Sequence, residues 1–236
     1  MVIIISMAGL GTRFRNAGYK CPKYMIEAKG RTLFEWSLES LKDYNPHTEK
    51  YIFVVRKEDG AENFIREKSK LCGVKEADIL ELDHVTDGQA TTCMLAVPRC
   101  DSGSPVMIYN IDTYVEAGAM KFSDISGDGH IPCFHAEGTH WSFVRTDGGG
   151  HVTEVREKVR ISDNCSLGAY YFSSAGLYRS LYEEFYSSGS GNTEKYIAPM
   201  YSAMIRRGLS VTMSLVGPEK VHVLGTPEEL ETFIKS

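Results

Sequence analysis

The sequence predicts an α/β protein whose first half builds a mostly parallel, doubly wound sheet. Apolar runs alternate with helical segments, which is the order expected when each helix crosses from one parallel strand to the next. The predicted strands are Val2–Ser6, Tyr51–Val55, Ile79–Leu82 and Val106–Ile111. The predicted helices are one that begins at Thr32, then Glu62–Leu71 and Gln89–Val97.

The first strand and the first predicted helix carry clear local signals. Val2–Ser6 is a β-branched run that meets a glycine soon after it ends, as is typical of a buried parallel strand feeding a loop. Thr32 followed three residues later by Glu35 has the spacing of a capping box. Apolar residues then recur on one face of the helix, at Phe34, Leu38 and Leu41.

The second half has a different pattern of predicted elements, which indicates a smaller unit of mixed strands and helices packed against the first. Two runs around Asp147-Gly148-Gly149-Gly150 predict a β-hairpin, and apolar residues alternate with Ser and Thr between positions 209 and 215, which predicts a half-exposed strand. Further predicted elements are a strand at Leu167–Phe172, helices at Ala175–Tyr186 and Tyr196–Arg207, and a terminal helix opened by Thr226 and Pro227. We expect one domain, 1–236, with lobes of about 1–115 and about 116–236.

Composition excludes several classes of protein. The chain of 236 residues is 42% hydrophobic and carries a net charge of −5, which fits a globular protein and disfavours a general nucleic-acid binder. No apolar run is long enough to span a membrane, and the apolar start lacks the basic leader of a signal peptide, so we expect neither. The cysteines are scattered and form no CxxC pair, which favours free thiols in a reducing cytoplasm over a zinc site or a disulfide framework.

A glycine-rich segment follows the first predicted strand. In Met7-Ala8-Gly9-Leu10-Gly11-Thr12-Arg13, the glycines would let backbone N–H groups approach phosphate oxygens, and Arg13 adds a cationic fork. Lys23 supplies a second cation ten residues later. The pattern is neither a P-loop nor a dinucleotide fingerprint, so the glycines alone leave a plain tight turn equally open.

The fourth predicted strand ends in a carboxylate. Asn110 and Asp112 are two residues apart and point to the same side of the strand, at the carboxyl end where open α/β sheets bind ligands. Aspartate at this position suits Mg²⁺, which keeps water and phosphate oxygens as its other ligands. The alternative is that Asp112 only caps the strand end.

These N-terminal segments together resemble the signature of the nucleoside-diphosphate-sugar pyrophosphorylases, the family of sugar-phosphate nucleotidyltransferases. The resemblance rests on Ala8-Gly9-Leu10-Gly11-Thr12-Arg13-Phe14 after the first strand and on Cys21-Pro22-Lys23-Tyr24-Met25 before the capped helix. It implies a three-layer α/β/α, Rossmann-like fold of the GT-A type with a mostly parallel mixed sheet. It also implies a Mg²⁺-dependent enzyme in which Arg13, Lys23 and Asp112 are catalytic and Asp112 binds the metal.

The resemblance assigns nucleotide binding to the first lobe and acceptor binding to the second. The implied nucleotide-binding residues are Ala8, Gly9, Leu10, Gly11, Thr12, Arg13, Lys23, Gly88 and Gln89. The last two fall in Thr86-Asp87-Gly88-Gln89-Ala90, where the family reads the base, although Asp87 is equally compatible with a helix cap.

The acceptor side resembles the family more loosely. Glu157 and Lys158 match a Glu-Lys-Pro motif, with Val159 in place of the proline, and Gly168 matches a glycine that faces the sugar. By resemblance these three residues bind the phosphorylated acceptor. A solvated surface pair is the alternative for Glu157 and Lys158.

The C-terminal segment departs from the family at one position. Val221-His222-Val223-Leu224-Gly225-Thr226-Pro227-Glu228-Glu229-Leu230 resembles a family segment whose aspartate is the second metal ligand, and the matching residue is Val223. His222 is adjacent, but on a strand it would face the other way. Either Asp112, phosphates and water hold the metal with a residue that the sequence does not reveal, or catalysis is weak or lost. The glycine-rich segment and Lys23 match the family without change, which favours the first of these two options.

The predicted function is transfer of a nucleoside monophosphate from a nucleoside triphosphate to a phosphorylated small molecule, with a sugar 1-phosphate as first choice, and release of pyrophosphate. A role in nucleotide-sugar and polysaccharide biosynthesis would suit the resemblance. One alternative is a glycosyltransferase on the same fold, although Asn110-Ile111-Asp112 is only half of its usual Asp-x-Asp motif. The other is a non-catalytic nucleotide sensor, suggested by Val223.

Overall fold

The structure is a computed structural model that describes residues 1–186 and 194–236. Its α-helices in the described ranges are α1 (Thr12–Asn16), α2 (Leu33–Glu39), α3 (Glu62–Leu71), α4 (Gln89–Ala96), α5 (Ala175–Tyr186), α6 (Tyr201–Arg206) and α7 (Pro227–Lys235). Its strands there are β1 (Val2–Ser6), β2 (Glu27–Ala28), β3 (Arg31–Thr32), β4 (Lys50–Arg56), β5 (Ala77–Leu82), β6 (Val106–Asn110), β7 (Thr113–Val115), β8 (Gly129–His135), β9 (Ser142–Thr146), β10 (Val152–Glu157), β11 (Asn164–Ser166), β12 (Ala169–Phe172), β13 (Val211–Leu215) and β14 (Val221–Val223).

One mixed sheet runs through both halves of the chain. Its order is β10-β9-β11-β8-β12-β6-β1-β4-β5, with β13 paired to β8. The neighbours among β6, β1, β4 and β5 are parallel, as predicted for the first half, whereas β12 joins β6 antiparallel and begins the mixed half. The two halves therefore share a sheet.

Helices cover both faces of this sheet, which confirms the three-layer α/β/α fold. In β1 the side chains of Val2 and Ile4 pack into the apolar cluster that contains α4, α5 and α6, whereas Ile3 and Ile5 pack into the one that contains α2 and α3. All four are at most 1% exposed. Because burying such a side chain is worth about 1.5–3 kcal/mol, β1 is fixed from both sides and holds the loop that follows it.

Several elements agree with the predictions from local sequence signals, and one helix differs. The Thr32–Glu35 capping box is present in both directions, and the hairpin of β9 and β10 is antiparallel as predicted. The predicted helix Tyr196–Arg207 was wrong in its first turns: the α-helix begins only at Tyr201, after a 3₁₀ turn at Ala198–Met200. Pro199 lacks an N–H and disfavours helical backbone in the preceding residue, which explains the delay.

Four features absent from the prediction complete the described fold. They are β8, a seven-residue strand inside the sheet, the short strand β11 beside it, and two small ribbons in which β2 pairs with β3 and β7 with β14. Among the described helices, none is long and apolar enough to cross a membrane.

Candidate active site

A cavity of about 820 Å³ opens at the carboxyl ends of β1 and β6. The chain leaves β1 towards β4 and β5 and then returns to β6 on the other side of β1, so the cavity lies at a topological switch point, where open α/β sheets bind ligands. Of the predicted site residues, ten line the cavity: Ala8, Gly9, Leu10, Arg13, Lys23, Gly88, Gln89, Asp112, Glu157 and Gly168.

Three predicted residues lie beside the cavity instead of lining it. Gly11 has a left-handed backbone (φ 61°) and serves as N-cap of α1, whose first residue is Thr12. A Cβ on Gly11 would lie 4.0 Å from Cβ of Lys23, so this turn brings the glycine-rich loop against the lysine segment. Gly11 and Thr12 thus shape the loop. Lys158, the third residue, follows Glu157, which does line the cavity.

The glycine-rich loop presents an exposed cation to the cavity. Arg13 stands in the first turn of α1, and no carboxylate of the described residues forms an ion pair with it. Its guanidinium is therefore available to a phosphate, to which it can donate two parallel hydrogen bonds.

Lys23 and Asp112 meet in the cavity. The ammonium of Lys23 donates to Oδ2 of Asp112 at 2.7 Å, and the two side chains are 23% and 30% exposed. Lys23 begins a 3₁₀ turn behind Pro22, and Asp112 follows β6, so residues 89 positions apart converge from different elements. The carboxylate faces the cavity, which distinguishes it from a group that merely caps the strand.

Three polar side chains connect the wall predicted to bind the nucleotide with the wall predicted to bind the acceptor. Nε2 of Gln89 donates to Oγ of Ser6 at 3.0 Å and to Oδ1 of Asn110. On the acceptor side Gly168 has φ 76°, and a Cβ there would lie 2.3 Å from Nδ2 of Asn110. Gly168 is therefore required because any side chain would displace Asn110 and with it Gln89.

The turn before α4 is held by the segment that precedes α6. Gly88 (φ 148°) is the N-cap of α4, and the Asp87 carboxylate pairs with Nζ of Lys195 at 2.8 Å instead of capping the helix. The backbone of Lys195 donates to O of Asp87 at 2.8 Å and accepts from N of Ala90 at 3.0 Å. The ion pair and the hydrogen bond from Thr91 lower the pKa of the Asp87 carboxyl, although burial opposes this.

On the wall predicted to bind the acceptor, Glu157 is half-buried. Oγ of Ser142 donates to its carboxylate, yet burial outweighs that bond and raises the pKa of Glu157 above the ordinary value for glutamate. Lys158 is exposed and has a left-handed backbone (φ 56°), which is strained for a residue with a Cβ. Its ammonium donates to the hydroxyl of Tyr196, which lines the cavity, and this bond raises the pKa of Lys158.

The C-terminal segment contributes to the cavity through residues that were not predicted as site residues. Val223, Gly225 and Glu229 line it, whereas His222 lies on the other side of β14, stacked on Tyr114 at 5.2 Å between ring centroids. The sequence also gave no signal for a group of other lining residues: Val85, His140, Trp141, Ser142, Glu194, Tyr196 and Ile197. These lie outside recognisable motifs, and only the tertiary fold brings them to the cavity.

An open α/β sheet whose switch point carries a glycine-rich loop, two cations and a carboxylate has the arrangement expected of an α/β enzyme that binds nucleotides. The nucleoside-diphosphate-sugar pyrophosphorylase from Vibrio cholerae RC9 is 35% identical to the chain, with a TM-score of 0.91 and complete coverage of both chains. The chain belongs to the nucleoside-diphosphate-sugar pyrophosphorylase family of sugar-phosphate nucleotidyltransferases.

More distant structures share the fold. The inositol-1-phosphate CTP transferase from T. maritima is 19% identical, with a TM-score of 0.78 and coverage of 100% of this chain and 96% of its own. The CTP:phosphocholine cytidylyltransferase from Streptococcus pneumoniae is 16% identical, with a TM-score of 0.74 and coverage of 99% and 98%. No family model matches the chain, and no curated protein does.

Proposed function

We propose that the protein transfers a nucleoside monophosphate from a nucleoside triphosphate to a phosphorylated small molecule, with a sugar 1-phosphate as the first candidate, and releases pyrophosphate in a Mg²⁺-dependent reaction. The observation that carries this is the Lys23–Asp112 contact, which stands between the glycine-rich loop and the acceptor wall of one cavity. The similarity to the Vibrio cholerae enzyme supports nucleotidyl transfer over the glycosyltransferase and sensor alternatives.

The reaction is a direct displacement. An oxygen of the acceptor's phosphate forms a bond to the α-phosphorus, the bond from that phosphorus to the oxygen bridging to the β-phosphate breaks, and pyrophosphate leaves. Arg13 and the loop N–H groups hold the β- and γ-phosphates, and Lys23 neutralises charge that develops at the α-phosphate. No covalent enzyme intermediate is required, so the contribution of the protein is positioning and charge neutralisation.

The donor set fits a magnesium ion. Oxygen ligands are what Mg²⁺ prefers, and the Asp112 carboxylate faces an open gap beside Gly225, where a Cβ would lie 3.5 Å from Oδ2. When bound there, Mg²⁺ would neutralise phosphate charge and lower the barrier to displacement. Asp112 would hold it.

The acceptor is a phosphate monoester whose remainder contacts the far wall. Glu157 accepts hydrogen bonds from hydroxyl groups, while the Lys158 ammonium draws in the phosphate. Two proteins of the same fold are an inositol-1-phosphate CTP transferase and a CTP:phosphocholine cytidylyltransferase, so inositol 1-phosphate and phosphocholine belong beside sugar 1-phosphates among the acceptors to test.

The proposal includes a cytoplasmic location, which the cysteines support. All six thiols are free, and Cys93, Cys133 and Cys165 are buried. Free thiols suit a reducing compartment such as the cytoplasm. A place in nucleotide-sugar supply for polysaccharide biosynthesis is part of the same proposal and rests on the similarity to the Vibrio cholerae enzyme.

The test measures pyrophosphate release with Mg²⁺ across a grid of nucleoside triphosphates and phosphorylated acceptors. We expect release that requires one triphosphate and one acceptor together. Arg13→Ala and Asp112→Ala should each lower turnover by on the order of a hundredfold or more, because each removes charge stabilisation from the transition state. Arg15→Ala is the matched control, since Arg15 is exposed on the same short helix but does not line the cavity. Near-normal turnover in both site variants would refute the proposed roles.

A further inference from the structure

The segment that departs from the family runs directly beside Asp112. Val223 in β14 pairs with Thr113 in β7, and N–H of Leu224 donates to the backbone oxygen of Asp112 at 2.8 Å. The Val223 side chain lines the cavity, but a hydrocarbon offers no oxygen to a cation. The position that matches the second metal ligand of the family is therefore close to Asp112 but cannot bind a cation.

A carboxylate reaches the same place from the next element. Glu229 is the third residue of α7, and its N–H donates to Oγ1 of the N-cap Thr226 at 3.2 Å. Its side chain folds back towards the start of the helix, where Oε2 accepts from N–H of Gly225 at 3.0 Å. This leaves Glu229 lining the cavity, and no described residue donates a hydrogen bond to its Oε1.

Glu35 occupies the same helix position in a complete capping box and serves as a comparison. In α2 the Oε2 atom of Glu35 accepts from N–H and Oγ1 of Thr32 at 2.9 and 2.7 Å and also pairs with Lys68 at 3.2 Å. Glu229 makes no such reciprocal bond to its own N-cap and pairs with no lysine or arginine among the described residues. The capping bonds and the Lys68 ion pair therefore account for the environment of Glu35, whereas Glu229 has one bond to Gly225 and no ion pair among the described residues.

The two carboxylates face one small gap. A Cβ on Gly225 would lie 3.4 Å from Oε2 of Glu229 and 3.5 Å from Oδ2 of Asp112, and glycine leaves this volume open. Lys23 neutralises Asp112 from one side by its bond to Oδ2, whereas Glu229 has no cationic partner among the described residues, so a cation between the two carboxylates would offset the negative charge that remains. Mg²⁺ takes oxygen ligands at about 2.0–2.1 Å and keeps several waters, so a small rotation of either side chain or a bridging water suffices for binding.

We propose that Glu229 supplies the second carboxylate for the divalent cation, in place of the residue that Val223 has replaced. The ligand has moved from the strand β14 to the first turn of α7, and Gly225 keeps the space between Glu229 and Asp112 open. This inference rests on the proposed function, because it completes the metal site that begins at Asp112.

The test measures binding of Mn²⁺ alone to the purified protein, by the electron paramagnetic resonance signal of the free ion, without any turnover. Glu229→Gln removes the charge but keeps an oxygen that can accept from Gly225, so its melting temperature should stay near that of the unmodified protein. We expect this change to weaken Mn²⁺ binding roughly tenfold or more. Glu228→Gln is the matched control, because it makes the same charge change at the exposed neighbouring residue, and we expect less than a twofold effect. Adding Val223→Asp to Glu229→Gln should restore binding.

Asp112→Asn separates the possible failures. If Asp112→Asn loses Mn²⁺ binding while Glu229→Gln retains it, the role of Glu229 is overturned and the metal site of the proposed function stands. If Asp112→Asn also binds Mn²⁺ normally, or the unmodified protein binds none at millimolar concentration, the metal site itself is refuted and Glu229 with it.

Discussion

Gly88→Ala tests whether the turn before α4 depends on close contact with another backbone. A Cβ on Gly88 would lie 2.4 Å from both N and O of Lys195, a distance that backbone atoms cannot tolerate. The turn or the Lys195 segment must therefore move. Either movement breaks the pair of hydrogen bonds that Lys195 makes with Asp87 and Ala90, at 2.8 and 3.0 Å.

The expected loss of stability follows from these contacts. Each hydrogen bond is worth about 1 kcal/mol, and alanine at a backbone conformation that favours glycine adds about 1 kcal/mol. The free energy of unfolding should therefore fall by about 3 kcal/mol, which lowers the melting temperature of a chain of this size by roughly 6–12 °C. Because Gly88 lines the cavity, binding of the triphosphate should weaken as well.

The assay compares urea unfolding and triphosphate binding of Gly88→Ala with those of Gly118→Ala. Gly118 also has a positive φ (78°), but a Cβ there would meet nothing within 4 Å, so only the conformational cost of about 1 kcal/mol applies. The difference between the two variants isolates the contact with Lys195. Equal stabilities would show that the close approach does not constrain the turn, and the reasoning would fail.

Two further predictions concern groups with displaced pKa values. Glu157→Gln should raise KM for the acceptor roughly tenfold to a hundredfold with little change in KM for the triphosphate, because hydrogen bonds to a charged group are worth about 1.5–3 kcal/mol. Steady-state kinetics checks this, with Glu154→Gln as the control variant. Equal effects in the two variants would contradict the prediction. Burial also raises the pKa of Glu157, so acceptor binding should be lost, as pH falls, at a higher pH than for an ordinary glutamate. His130 is 1% exposed and bonded to Thr212 and Ser214 at 2.8 and 3.0 Å, and burial lowers its pKa from 6.5 to about 4. The folded protein holds the His130 ring in its neutral form, so the stabilising contribution of His130 is complete above pH 6.5. About 3 kcal/mol of the free energy of unfolding is lost as the pH falls from 6.5 to 4. Urea unfolding at several pH values checks this, and a pH dependence in His130→Gln equal to that of the unmodified protein would contradict it.

The elements that could be predicted best from the sequence are those that depend on residues close together in the chain. The bounds of β1, α3 and α5 agree with the prediction, because an uninterrupted apolar run or a helical period is enough to define each of them. The capping box of Thr32 and Glu35 needs only two side chains three residues apart, and both of its bonds are present. The glycine-rich segment of residues 7–13 is likewise contiguous, so its placement at the end of β1 could be predicted without tertiary information.

What the sequence could not predict depends on neighbours in space. β8 contains Gly129 and Pro132, which argue against a strand when read alone. It forms because β11, β12 and β13 pair with it, and the Pro132 oxygen still accepts from N–H of Leu167 at 3.0 Å. Gly129 lies close to α6, since a Cβ there would lie 2.7 Å from Cε of Met204 and 2.8 Å from Cε1 of Tyr201, and both side chains would have to shift. Pairing and packing thus override the local preference.

The adjacent residues Lys195 and Tyr196 connect the two ends of the cavity. The Lys195 backbone holds the turn at Gly88, on the wall assigned to the nucleotide, while the Tyr196 hydroxyl accepts from the ammonium of Lys158, on the wall assigned to the acceptor. A displacement of Lys195 is therefore transmitted through one peptide unit to the partner of Lys158. For this reason Gly88→Ala, although it lies on the nucleotide side, should also raise KM for the acceptor, whereas Gly118→Ala should leave it unchanged.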